Sequence, residues 1–281
     1  LLAAGGERQA LRVALDQEAA SSGAVALEGD EVTGYVLGSP LNSPVFGRSM
    51  WIGHAGFAAA GTELVRDLYA AAADAWVASG FHHHYVYAPA LAELLEPWYR
   101  LGFAQMHVEG IRETAVENRA LPEDIEIRRG SAGDIDPIAV PFNDMIAETQ
   151  RLGPSFSSVP KRPPGEHAED WRETLEDPSA AYFVAERGGQ AVGHSLVYRA
   201  DPDFGNPVDA VYLASTVIVP QERRGGIGRM LVDHVLAWAR VEGYATIITN
   251  WRVTNLMASR FWPRAGWRPT FIRLQRVTGS H

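Results

Sequence analysis

Val217-Ile218-Val219-Pro220-Gln221-Glu222-Arg223-Arg224-Gly225-Gly226-Ile227-Gly228-Arg229 is the stretch that decides how this chain of 281 residues is read. Upstream, Val211, Leu213, Val217 and Val219 mark Ala210 to Val219 as a strand, and Pro220 closes it. Downstream, Met230, Leu231, Val235, Leu236 and Trp238 recur at helical spacing. A strand therefore feeds a basic, glycine-rich turn that opens a helix. Three glycines let backbone N–H groups converge where a Cβ would obstruct, and the helix N-terminus adds partial positive charge. Such a turn suits a pyrophosphate, with Arg223, Arg224 and Arg229 as charge-assisted donors. It lacks the Gly-Lys-Ser/Thr of a P-loop and the Gly-x-Gly-x-x-Gly of a dinucleotide fold.

Working outward, the chain repeats itself. Ala181 to Glu186 alternates as a strand, Gly188-Gly189 supplies a hairpin turn, and Ala191 to Tyr198 returns. The first half has the same outline in Ala24 to Glu28, Gly29-Asp30, and Val32 to Leu37. Ala75-Trp76 with Gly80-Phe81 echoes Ala237-Trp238 with Gly243-Tyr244, and Trp98 with Gly102-Phe103 echoes Trp262 with Gly266-Trp267. The offset drifts only from 162 to 164 residues, so two copies of one α/β unit is the economical expectation. The polar stretch Glu113 to Asp124, with Pro122, separates them as a linker. The expected division is 1–114, a linker at 115–124, and 125–281. In the second unit, Ile125 to Arg128 reads as a strand and Asp134 to Arg151 as a helix with Asp134 at its N-cap. The loop Gly153 to Gly165 follows, then a helix from about Glu166 to Leu175.

Composition narrows the chemistry. Apolar residues make up 46% and charged residues 21%, ordinary for a chain that buries a core. With no cysteine, disulfides, zinc thiolates and a cysteine nucleophile are excluded. A net charge of −9 disfavours nucleic acid and anionic membranes as partners. The most apolar run, Leu68 to Ala78, holds Asp74 and reads as a buried helix rather than a membrane span. The opening at Leu1 shows no export pattern, which predicts a trimmed start and a cytoplasmic protein. His82-His83-His84 would tempt a metal assignment. Neighbouring strand residues point to opposite faces, so a polar edge and no metal is the expectation.

The strand, glycine turn and helix resemble those of the GNAT superfamily of acyl-CoA-dependent N-acyltransferases. Arg223, Gly226 and Gly228 fit its Arg/Gln-x-x-Gly-x-Gly/Ala signature, and Val217, Val219 and Pro220 match the strand before it. Asn255, Ala258, Phe261-Trp262 and Gly266-Trp267 look like the family's distal block. The match covers about Ile125 to Val277, with a fainter echo in the first half, as in tandem members. The resemblance implies a mixed α/β fold of two tandem GNAT-like domains, each a twisted, mostly antiparallel sheet that splays at the cofactor strand. It implies acetyl-CoA, or another short acyl-CoA, as co-substrate. Its pantetheine would pair with the Val217-Ile218-Val219 backbone, which also polarises the thioester carbonyl. Arg224, Gly225, Gly226, Ile227, Gly228 and Arg229 would hold its pyrophosphate, and Asn255 would fix the pantetheine near Ser259 and Phe261.

The resemblance leaves the proton chemistry open. The family's usual tyrosine is replaced by Trp262, which has no titrating proton, so Ser259 is a candidate relay. A strand glutamate of many relatives is replaced by Tyr212, better suited to orient substrate or water than to act as base. Asp209 and His194 are further candidates. In the first half, Phe57 to Glu63 stands where the glycine turn should be, with no basic residue, so this copy is expected to be degenerate. The implied function is acetyl transfer from acetyl-CoA to the primary amine of a small molecule, in a monomer or homodimer. Alternatives are a catalytically weak acyl-CoA-binding module, or a mycothiol synthase-like enzyme acetylating an aminosugar-linked cysteine.

Overall fold

The computed structural model describes residues 12, 16, 21–115, 122–157, 164–201 and 204–279. Most of the expected linker (116–121) and part of the proline-rich loop (158–163) lie outside the described residues. The first half runs β1 (Ser22–Glu28), β2 (Glu31–Ser43), β3 (Gly47–Ile52), β4 (Phe57–Ala59), α1 (Thr62–Ala78), β5 (His83–Pro89), α2 (Ala92–Arg100) and β6 (Ala104–Glu113). The second runs β7 (Ile125–Arg129), α3 (Val140–Arg151), α4 (Pro164–Glu176), β8 (Ala181–Arg187) and β9 (Gln190–Arg199). It continues through β10 (Ala210–Ile218), α5 (Ile227–Val241), β11 (Thr246–Arg252), α6 (Leu256–Arg264) and β12 (Arg268–Val277).

One mixed sheet carries all of these strands, in the order β1-β2-β3-β5-β12-β6-β11-β10-β9-β8-β7, with β4 off the path against β2. The sheet does not break between the halves, because their last strands change places. β6 pairs along β11, and β12 pairs along β5. The two exchanged strands then pair antiparallel with each other at the centre. Strand pairing satisfies backbone groups whichever half supplies the partner, so each half completes the other's sheet.

The cores follow from this layering. One cluster spans both halves, from Tyr69 and Trp76 of α1 and Trp98 of α2 to Leu231, Val235 and Leu236 of α5 and Trp262 of α6. A smaller cluster covers the other face, where Phe142 of α3 and Trp171 of α4 pack on Tyr182, Val184 and Leu196. Large side chains buried this completely each contribute about 1.5–3 kcal/mol. The two helix-to-strand corners, α2 into β6 and α6 into β12, have matching stops. Phe103 N donates to Trp98 O with Gly102 at φ 82°, and Trp267 N donates to Trp262 O with Gly266 at φ 96°.

Three local readings change. Asp134 sits at the N-cap position of a π turn but caps nothing with its side chain, and the capped start lies three residues earlier. Ser131 is the N-cap of a 3-10 turn, and Asp134 closes its capping box while binding Arg128 at 2.7 Å, which pushes its carboxyl down to about 2. A short 3-10 turn and a π turn then precede α3, which begins at Val140. His84 is no polar edge. It is fully buried, with Nδ1 2.7 Å from Tyr69 Oη and Nε2 3.0 Å from Phe81 O, and burial lowers its pKa. Among the described residues no helix is long and apolar enough to cross a membrane, and no metal-binding group occurs.

Candidate active site

The site begins where two strands part. β10 runs parallel to β11 only over Ala210–Tyr212, opposite Thr246–Ile248. Beyond this, Thr249 Oγ1 donates to Leu213 O at 2.8 Å, and a register shift between Leu213 and Ser215 bends β10 away. β10 continues to Ile218 bonded to β9 alone, while β11 stays paired to β6 to its end. The edge of β10 over Ser215–Ile218 thus lacks a strand partner on the β11 side among the described residues. Gly193 permits this course, because a Cβ there would lie 2.8 Å from Val217 O and closer still to Ile218.

A cleft of about 1120 Å³ opens from this gap. One wall is Thr216, Val217 and Ile218, another is Asn255, Leu256, Met257, Ala258 and Phe261, and the glycine turn closes one end. The turn works as its residues dictate. Gly226 takes φ 87° as the N-cap of α5, and no side chain caps the helix, which leaves its first N–H groups to the cleft. A Cβ on Gly228 would sit 3.4 Å from Ile218 and 3.7 Å from Phe261, filling the passage between them. Asn255 accepts from Met257 N and Ala258 N through Oδ1, each at 3.2 Å, so its NH2 is the donor left for the cleft. Glu222, an acid in the cleft lining, is offset by an ion pair with Arg187.

The anticipated residues separate into groups. Val217, Ile218, Arg223, Arg224, Gly226, Gly228, Arg229, Asn255 and Phe261 line the cleft. Val219, Gly225, Ile227 and Ser259 do not, and Ile227 points into the core. The arginines differ: Arg229 is paired with Asp233 at 2.9 Å, and Arg223 folds back to Ile218 O at 3.0 Å. Arg224 stands exposed at φ 70°.

The proton-transfer candidates Tyr212, His194 and Asp209 stand away from the cleft lining. Tyr212 lies outside the cleft lining and receives a 2.6 Å bond from Asn250 Nδ2. Burial and then the neighbouring Tyr198 and Glu109 raise its pKa, which favours the neutral phenol and suits it to orient a substrate or water, the role the sequence reading gave it. His194 is fully buried among Phe142, Trp171 and Tyr182, and burial pushes it down to about 3. Asp209 is an exposed loop residue whose carbonyl accepts from Ala245 N.

A pair that sequence reasoning missed, like Tyr212 outside the cleft lining, faces that tyrosine. Glu109 of β6 sits opposite Asn250 in the β6–β11 register and lies 2.9 Å from His54 Nε2. His54 stacks on Tyr87 with ring centres 4.4 Å apart and meets Phe271 edge-on. A carboxylate in a partly aromatic recess can bind an ammonium group and accept its proton. Both residues come from the first half, and only the strand exchange brings them here.

The sequence model of the Acetyltransferase (GNAT) family matches residues 146–267. No curated protein matches the chain. Among solved structures, a GCN5-related N-acetyltransferase from Sphaerobacter thermophilus superposes with a TM-score of 0.62 at 16% identity, covering 95% of this chain and 84% of its own. A GCN5-related N-acetyltransferase from Kribbella flavida gives 0.51 at 15% identity over 96% of each chain. At such identity these two establish a shared fold. The stretch 146–267 that the family model matches holds part of the strand-bearing core, the glycine turn, the helix after it and the distal block, and what this chain shares with the two solved acetyltransferases is the fold.

Proposed function

We propose that this protein is an acetyl-CoA-dependent N-acetyltransferase that acetylates the primary amine of a small molecule by direct transfer. The observation that carries the reading is the parting of β10 from β11 beside the uncapped glycine-rich start of α5. Together they offer a backbone edge and an anion-binding end in one cleft. Arg224 and the N–H groups after Gly226 hold the pyrophosphate, the free edge over Ser215–Ile218 bonds the pantetheine, and the Asn255 NH2 steadies it. Bound there, acetyl-CoA supplies a thioester. Glu109, oriented by His54, accepts the proton of the incoming amine. The departing thiol has an ordinary pKa of about 8.5, so it can take its proton from water without the tyrosine that Trp262 replaces.

In this reading the first half is a degenerate copy without a phosphate loop, retained because it shapes the acceptor side. Support lies in the order of elements: with the short β4 set aside, β2-β3-α1-β5-α2-β6 runs as β9-β10-α5-β11-α6-β12 does.

Calorimetric titration with acetyl-CoA, repeated on Gly226→Glu, tests the proposal. One site per chain, lost in the variant, is expected, followed by thiol release with a panel of small amines. No binding to the wild type would remove the acyltransferase reading. Two sites would restore the first half as a second binding unit.

A further inference from the structure

Directly beside the Glu109–Asn250 pair, the exchanged strands set three basic side chains in one row across the sheet. Arg252 of β11 lies opposite His107 of β6, His107 opposite Arg273 of β12, and Arg273 opposite Tyr87 of β5. No carboxylate among the described residues pairs with any of the three. Glu109, two positions along β6, is engaged by His54.

The row is poorly solvated. Arg273 is buried, its Nε has no hydrogen-bond partner, and neither has His107 Nε2. Burial, and then Arg273 and Arg252, push His107 down to about 2, so the imidazole is neutral. Burial and the neighbouring Arg273 also lower the pKa of Arg252. Gathering like charges away from water is unfavourable unless an opposite charge offsets it. Arg273 finds partial compensation over the rings of Phe46, Trp51 and Tyr87, at 5.6, 5.5 and 5.9 Å. Arg252 has no such cage and instead opens into a pocket of about 530 Å³. Arg276, Gln105, Gln275 and Ser155 line the same pocket, so its remaining polar wall is rich in hydrogen-bond donors.

We infer that this pocket, built between the two halves, is an oxyanion subsite centred on Arg252, and that the acceptor amine carries a carboxylate or phosphate that docks there. Calling the occupant the acceptor rests on the acetyltransferase reading; the anion site itself does not. Arg252 and Asn250 are two residues apart on one strand face, on the order of 7 Å. The acceptor therefore separates its amine from its anion by several bonds, as a longer-chain amino acid or an aminoalkyl phosphate does.

Inorganic phosphate and succinate are titrated separately by calorimetry into the full chain and into Arg252→Gln, Arg252→Lys and Arg224→Glu. Saturable binding of at least one anion is expected in the wild type and in Arg224→Glu, and which anion binds identifies the group. Arg252→Gln should weaken it about tenfold or more, because a charge-assisted bidentate contact is lost. Arg252→Lys, which keeps the charge, should fall between. If Arg252→Gln does not fold, the weakening in Arg252→Lys is the deciding result. Absence of binding at millimolar anion, or binding indifferent to Arg252, overturns the subsite. Binding lost only in Arg224→Glu assigns the anion to the glycine turn and overturns it equally. Acetyl-CoA titrated into the same proteins separates the two claims. Phosphate or succinate bound through Arg252 without acetyl-CoA binding removes the acetyltransferase reading alone, and the converse removes the subsite alone.

Discussion

β3 and β10 occupy the same place in the order of elements, and each runs parallel to the strand that follows its helix, yet only β10 outruns that partner. β3 keeps β5 beside it from Ser49 to its last residue, Ile52. The chain then turns at Gly53–Gly56 and lays β4 back on β2. β10 loses β11 after Tyr212 and continues six residues further with one edge bare. The helices that follow differ in the same sense. α1 starts from Gly61 in extended backbone, with Glu63 in its first turn bound to Arg66 and Arg100. α5 starts from a left-handed Gly226 with no acid in its first turn. A cleft for an anionic, strand-like ligand therefore needs a strand that parts from its neighbour and a helix start free of negative charge. Only the second half has both, while the first half contributes through the strand it lends.

The sharpest test of that lent strand is Glu109→Gln. Its expected effect is a fall of about 10²–10⁴ in kcat with acetyl-CoA affinity unchanged. Steady-state kinetics beside calorimetry read both, and an unchanged kcat would return the first half to scaffolding. Next in size is the pair Trp98→Ala and Trp262→Ala, equivalent corners of the two halves. Trp98 is 0% exposed, so its loss should cost about 3–5 kcal/mol in urea unfolding while leaving acetyl-CoA affinity intact. Trp262 also borders the cleft, and its loss should lower both. Weakened cofactor binding in Trp98→Ala would show the halves to be coupled through the core.

A smaller effect comes from acid. His194 is held down to about 3 against an ordinary value near 6.5, so the unfolded chain binds this proton first. The stability it protects is complete above about pH 6.5 and is lost as pH falls toward 3, by up to about 1.4 kcal/mol per unit. His194→Gln should flatten the fall of Tm between pH 6.5 and 4, and His84→Gln in the first half should flatten it less. The opposite ranking would make His84 the more acid-sensitive of these two buried histidines. Smallest is the pair of helix starts. Gly226→Ala should cost about 1–2 kcal/mol, since Ala must enter the left-handed region. Gly61→Ala should stay within about 0.5 kcal/mol, with φ −169° and open space around it. Equal costs in thermal unfolding would break the distinction.

Much of this architecture was legible because local rules govern it. Strand alternation placed β8, β9 and β10, and Gly188-Gly189 forms the turn with both φ values positive, at 56° and 76°. The glycine turn falls where Arg223, Gly226 and Gly228 put it, at one end of the cleft. Side-chain roles were harder to read. Ser259, on the same short helix as Phe261, is rotated off the cleft lining, and the fate of Tyr212 depended on burial and on Glu109, more than a hundred residues away.

From the sequence alone came the strands β8 to β10, the helix after them and the glycine-rich turn between, each written in spacings of a few residues. The tertiary structure alone decided that β6 and β12 exchange places. A strand's pattern says which face it buries but not which edge it joins, and antiparallel edges accept any partner whose register suits. That choice set Glu109 opposite Asn250 and His107 between Arg252 and Arg273. Residues scattered from His54 to Arg273 thereby became one surface, with charges tuned by a burial that no local pattern encodes.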